Sequence, residues 1–227
     1  MTKKLFLTVL FFAASVNLFA QTAEIAKPDY GQIKRNIENE QSDFYYPKLW
    51  DRYQQGDSTM ALDEKRHLYY GYVFNKNYSP YSTADNSEKI NALLSKENPT
   101  DKDWRQLIAL INTALAIEPF SCRYLFYQSV AFDKLGQSDD KQKNVNKINC
   151  VLDALLSTGD GLQKETAIHV ITVGSEYDHL FFNNLSAHSQ ALVDGGFDVL
   201  DVGVEKLWFD VNRPFSTLKE QRQFRKR

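Results

Sequence analysis

The stretch that decides the fold runs from Asp101 to Ser157: DKDWRQLIAL INTALAIEPF SCRYLFYQSV AFDKLGQSDD KQKNVNKINC VLDALLS. It reads as three consecutive amphipathic helices. In the first, from about Asp103 to Glu118, Trp104, Ile108, Ile111 and Leu115 recur at spacings of three and four and share a face. Asp101 stands where an N-cap belongs, and Pro119 bars the helical region to the residue before it. In the second, from about Ser121 to Leu135, Leu125, Ala131, Phe132 and Leu135 form one stripe, and Phe126 and Val130 lie on another. Gly136 follows, suited to a left-handed C′ position. In the third, from about Asp139 to Leu156, the stripe is Val145, Ile148, Leu152, Leu155 and Leu156. Gly159 and Gly161 then break the chain.

The order of helix, Pro, helix, Leu-Gly, helix resembles the tetratricopeptide repeat. Ala114 to Pro119 is similar to the end of one repeat, and Leu135-Gly136 to the turn inside the next. Gln128 and Lys141 stand where that repeat prefers small packing residues. About one and a half repeats are present, and roughly three are needed for a free-standing solenoid. The resemblance therefore implies a repeat-like helical hairpin within a larger domain.

Before this stretch, Tyr30 to Tyr81 is rich in tyrosine. Pro28–Glu38, Phe44–Tyr53, Ala61–Phe74 and Ser87–Lys96 read as further helices. On the helix of residues 61–74, His67, Tyr70 and Phe74 share a face, while Tyr69 and Tyr72 point elsewhere. Either this helix is buried on several sides, or some of its rings form an exposed platform. Exposed aromatics stack on sugars or fill partner pockets. Trp50, Tyr53, His67, Tyr70, Tyr78 and Tyr81 are the candidate ligand-binding residues on the second reading.

After Gly161 the period shifts towards two. Ala167–Val173 is rich in β-branched residues and reads as a strand, as do Gln190–Val193, Phe197–Val202 and Lys206–Val211. Ser175–Phe182 is expected to make one or two helical turns. Asp194-Gly195-Gly196 suits a hairpin turn. The expected fold class is α+β: a mainly helical domain over residues 21–158, a small antiparallel β-rich module over 159–216, and a basic tail over 217–227.

The N-terminus has the pattern of a secretory signal peptide, residues 1–20. Lys3 and Lys4 precede an apolar run from Leu5 to Ala14, and Ala20 marks the expected cleavage point. That run is too short to span a bilayer, which takes about 20 residues. The mature chain is thus expected in the periplasm or outside the cell, with no transmembrane segment. Removing Lys3 and Lys4 leaves 25 basic against 29 acidic residues, a net charge near −4. That balance argues against nucleic acid as a partner and leaves a protein, peptide or glycan. Cys122 and Cys150 are the two cysteines. If their helices are antiparallel they come to the same end, where they form either a disulfide or two buried thiols.

Three runs of residues carry a wider resemblance: Tyr45-Tyr46-Pro47-Lys48-Leu49, Arg66-His67-Leu68-Tyr69-Tyr70-Gly71-Tyr72 and Tyr78-Ser79-Pro80-Tyr81. With Glu176-Tyr177-Asp178 and Trp208-Phe209-Asp210-Val211 they resemble a family of exported Bacteroidetes proteins catalogued as domain of unknown function 4919. The resemblance implies membership and export. It supplies no site residues.

A second group of residues supports an enzyme reading. Gly159-Asp160-Gly161 could let a backbone approach closely and present a carboxylate as base or ligand; a helix stop followed by a turn already accounts for its position. His169, Glu176 and His179 complete this alternative site. Glu176 and His179 are three apart, but a zinc site takes three or four ligands at defined spacing, so no metal or other cofactor is implied. Two function classes follow. One is an exported non-catalytic binding or scaffold protein with a Tyr/Trp-rich surface. The other is an envelope hydrolase or other enzyme, for which Asp160, His169 and Glu176 must converge. An envelope-structural role without a discrete ligand is a third.

Overall fold

Helix α3 (Leu62–Gly71) is buried at five consecutive positions, His67 to Gly71, so it has no solvent face along that length. Its N-terminus is held by the Glu64 carboxylate, which accepts from the Ala61 N–H at 2.7 Å. Helices α1 (Tyr30–Glu38) and α2 (Tyr46–Gln55) pack against it, as does α7 (Ser138–Leu156). The computed structural model describes residues 25–217. The expected signal peptide and all but the first residue of the basic tail lie outside these residues.

A helix enclosed on all sides must satisfy its polar atoms internally. The Tyr69 hydroxyl donates to Ser175 Oγ at 2.8 Å. The Tyr70 hydroxyl lies 3.0 Å from the His169 carbonyl and 3.3 Å from that of Ala154. Just beyond, the Tyr78 hydroxyl donates to the Ile171 carbonyl at 2.6 Å. His67 stacks on Phe44 with ring centroids 3.9 Å apart, and its nitrogens meet the Asp63 carbonyl and the Asn36 amide. The tyrosine-rich segment is therefore core. Of the two readings of this helix, burial on several sides is the one observed: the rings that cannot share one stripe are covered from different sides, and no exposed platform forms on it.

Helix α4 (Ser87–Leu94) precedes the three helices read from the periodicity, which are α5 (Asp101–Leu115), α6 (Cys122–Lys134) and α7. The N-cap of α5 is Thr100, not Asp101. Its Oγ1 accepts from the Asp103 N–H, and the Asp103 carboxylate returns to the Thr100 N–H at 2.9 Å. The helix stops at Leu115, earlier than the expected Glu118, because the chain peels into turns ahead of Pro119. Gly136 does take the left-handed conformation, at φ +71°. Contacts between Asp133 and Lys141 and between Gln128 and Asn144 show that α6 and α7 run antiparallel.

The departure from the repeat pattern at Gln128 has a structural reason. Its side chain is buried and bridges three helices, donating to Asn112 of α5 at 2.7 Å and accepting from Asn144 of α7 at 2.8 Å. Lys141 instead lies at the surface and pairs with Asp133. Cys122 and Cys150 are both free, buried thiols, so the possible disulfide is absent. Burial pushes the Cys150 thiol up to about 12 and raises Cys122 as well, which keeps both protonated and unreactive.

The C-terminal part is a four-stranded sheet with helix α8 (Val173–Phe182) inserted after its first strand. The strands are β1 (Ile168–His169), β2 (Ser189–Val193), β3 (Phe197–Asp201) and β4 (Lys206–Asp210), in the order β1-β4-β3-β2. The sheet is mixed rather than antiparallel, because β1 pairs parallel with β4. The expected strand 167–173 shrinks to two residues. The carbonyls of His169 and Ile171 accept from Tyr70 and Tyr78, and the chain turns at Thr172 into α8. The hairpin at Asp194-Gly195 forms as expected, with both residues at positive φ. Residues 212–217 are helical.

One hydrophobic cluster runs from Ile33 to Val211 and crosses the expected boundary at residue 158 without a break. A second, smaller cluster joins α4, α5 and α6 around Ile90, Leu107, Ile111 and Ala131. Gly159 sits where the chain enters the sheet region, and a Cβ there would lie 2.0 Å from the Thr166 carbonyl oxygen. Tyr70→Phe keeps the ring and removes the hydroxyl between the helices and β1. It should cost about 1–3 kcal/mol, against about 3–5 kcal/mol for Tyr70→Ala. Urea unfolding checks this, and equal stability of wild type and Tyr70→Phe would contradict it.

Candidate functional site

A cleft of about 680 Å³ opens in the surface. It lies between the loop after Tyr78, helix α4, the first turns of α6 and the start of α8. Tyrosines 81, 124, 127 and 177 line it, together with Glu118, Arg123 and Gly174. Tyr124 and Tyr127 are one turn apart on α6, on a flank that neither Leu125 nor Phe126 shares. Tyr81 is 39% exposed on its loop, although Tyr78, three residues earlier, is buried.

Asp178 of α8 organises the cleft. One carboxylate oxygen accepts from the Cys122 N–H at 2.7 Å and so caps α6. The other accepts from Arg123 Nε at 2.6 Å. Burial raises the Asp178 pKa, while Arg123 and the backbone donors pull it down. The terminal amino groups of the guanidinium make no hydrogen bond among the described residues. Glu118 reaches the same cleft from the α5–α6 turn. Its Oε1 accepts from the Ala84 N–H at 3.0 Å. Burial raises its pKa and Asp178 adds to that, with Arg123 opposing. Tyr177 is anchored through its hydroxyl to Gln190 at 2.7 Å, and Gln190 donates to Asp198 on β3 at 2.9 Å.

Of the six aromatic and histidine candidates, Tyr81 alone lines this cleft. Tyr53, His67, Tyr70 and Tyr78 are buried in the core. Trp50 and Tyr53 border a second hollow of about 470 Å³, beside Lys147. The structure does not gather the alternative-site residues into one place. Asp160 accepts from Thr166 and from the Leu162 N–H, which is the work of a turn. His169 lies 3.6 Å from Asp210, and burial lowers its pKa. Glu176 and His179 do share the buried face of α8, against Asp198 and Phe209 of the sheet. Among the described residues, no group of three or more His, Cys, Asp or Glu side chains could hold a metal ion.

Arg123, Glu118, Tyr124, Tyr127 and Tyr177 were not among the sequence candidates. Tyr124 and Tyr127 carried little signal: Tyr124 continues the stripe of Ala131 and Leu135, and both rings pack in part against the second hydrophobic cluster. Arg123 carried none, because its partner Asp178 is 55 residues away along the chain.

Fold and cleft together define an α+β protein, mainly helical, with a small mixed sheet and a cleft lined by tyrosines. The chain belongs to the family described as Domain of unknown function (DUF4919), which matches residues 31–220. No curated protein and no solved structure matches it. Among the described residues, no helix is long and apolar enough to cross a membrane.

Glu176 is fully buried, and neither carboxylate oxygen has a hydrogen-bond partner among the described residues. Burial, with Asp198 adding to it, lifts its pKa from 4.5 to about 9. Between those values the folded protein holds a proton that the unfolded chain has released. Its contribution to stability is complete below about pH 4.5 and is lost as pH rises towards 9, by up to about 1.4 kcal/mol per pH unit. The histidines at 67, 169 and 179 have lowered pKa values, so they give the opposite slope, which ends near their ordinary 6.5. Urea midpoints should therefore fall from pH 7 to 8.5 in the wild type and fall less steeply in Glu176→Gln, where the raised thiols of Cys122 and Cys150 still give a falling slope near the top of that range. Equal slopes would contradict the assignment.

Proposed function

We propose that this is an exported, non-catalytic binding protein whose ligand sits in the cleft between α4, α6 and α8. The observation that carries the reading is the lining. Four tyrosines, a guanidinium whose terminal amino groups make no hydrogen bond among the described residues, and a half-buried carboxyl line one concavity. Its volume lies in the range of pockets that enclose a ligand, about 300–1,000 Å³. Tyrosine suits such a wall because it offers a large rigid face with a polar tip at small entropic cost.

The binding surface is thus moved from the tyrosines of α3, which hold the core together, to those of α6 and α8. Export rests on the pattern of residues 1–20. The ligand class, as read from the lining, is a peptide or a glycan.

The test uses the mature chain and a thermal-shift panel of short peptides and neutral oligosaccharides. A ligand at 100 times its dissociation constant stabilises by about 2.7 kcal/mol. Two variants locate it. Tyr124→Ala removes a wall. Gly174→Leu projects a side chain at the cleft wall, where a Cβ meets nothing closer than 3.7 Å. Both should abolish the shift while leaving circular dichroism unchanged. A shift that survives both variants would place the ligand elsewhere.

A further inference from the structure

We propose that the cleft takes a short peptide with free termini, its carboxylate on Arg123, its amino group on Glu118 and its side chains between the tyrosines. The inference rests on the cleft being the binding site and names what that site selects.

The argument begins with the two charged groups. Asp178 engages Arg123 through Nε, and the terminal amino groups remain for a second partner. A guanidinium fork of this kind matches a carboxylate in geometry as well as in sign. Glu118 uses Oε1 on the Ala84 N–H; its Oε2 lies 3.8 Å from where a Cβ on Gly174 would stand, at the cleft wall. Arg123 and Glu118 line one cleft and feel each other's charge, yet form no ion pair among the described residues. Ligand entry strips water from both, and a charge left without a partner is costly.

Simple ligand classes fail on this point. An inorganic anion would satisfy Arg123 and meet Glu118 as a like charge. A simple cation would do the reverse. A neutral oligosaccharide would neutralise neither. A zwitterion answers both, since the two groups line one cleft and do not pair with each other among the described residues. The cleft, at about 680 Å³, is wider than a single free amino acid needs. Tyr124, Tyr127 and Tyr177 offer ring faces along the cleft to the side chains of a few residues.

The experiment is titration calorimetry at pH 7 with the mature chain and three forms of one probe. The probe is leucyl-leucyl-phenylalanine with free termini, as its C-terminal amide, and with an acetylated N-terminus. The free form should bind best, and each blocked form should lose about tenfold or more, since each lacks a charge-assisted hydrogen bond. Glu118→Gln should erase the difference between the free and acetylated forms while keeping that between acid and amide. Arg123→Lys should do the converse by keeping the charge without the fork; it also leaves Asp178 a cationic partner, so the fold is retained. Equal binding of all three forms, or binding of none, overturns the proposal. Cellohexaose in the same assay separates the two levels. If it binds and is lost in Gly174→Leu, the cleft is the binding site but its ligand is a glycan. If all four probes fail, the peptide proposal falls on its own evidence, and the panel above decides the cleft.

Discussion

Buried tyrosine hydroxyls must find acceptors, and the path of this chain follows from where they find them. Tyr69, Tyr70 and Tyr78 send their hydroxyls to Ser175, His169 and Ile171, all about 90 to 106 residues further along. Tyr53 does the same towards the Pro119 carbonyl at 2.9 Å. Each bond is modest, about 1 kcal/mol net, but leaving a buried hydroxyl unpaired costs more. The rings contribute the larger apolar term, and the hydroxyls decide which backbone may lie against them. This is why the helices and the sheet form one core, and why β1 has two residues rather than seven.

The same bonds set the wall of the cleft. Ser175 receives Tyr69 and lies 2.9 Å from Thr172 Oγ1, so the first turn of α8 is tied to the centre of the molecule. Asp178, one turn further on, then meets the start of α6. The α6 and α8 walls of the cleft are therefore tied to the core, and the loop after Tyr78 supplies the wall facing them. The tyrosines of α3 act at one remove, by placing α8.

Much of the architecture was legible in the sequence because it depends on local rules. Helices α5, α6 and α7 follow the apolar period, Gly136 ends α6 as a left-handed glycine should, and Asp194-Gly195 makes the hairpin. The strands after residue 189 fall within a residue of where alternation put them. What could not be read depends on contacts remote in sequence. The parallel pairing of β1 is hidden because a run such as Ile168 to Val173 is apolar on both faces. The tyrosines of α3 and α6 look alike as letters; which set is enclosed depends on how many neighbours surround the helix. The Arg123–Asp178 pair, which shapes the cleft, joins two helices that no local pattern relates. The Gly159-Asp160-Gly161 turn was legible as a turn, and its close approach to Thr166 accounts for its first glycine.

The central claim is that helices and sheet open as one unit held by the tyrosine hydroxyls of the core. Native-state hydrogen exchange tests it most directly, because it reports opening free energies segment by segment. Amides in the middle of α3, α7 and β4 should share the highest protection, equal to the global unfolding free energy. A sheet whose amides exchange several kcal/mol more easily than those of α3 and α7 would contradict the account: the β-rich part would then be a separate module resting on the helices.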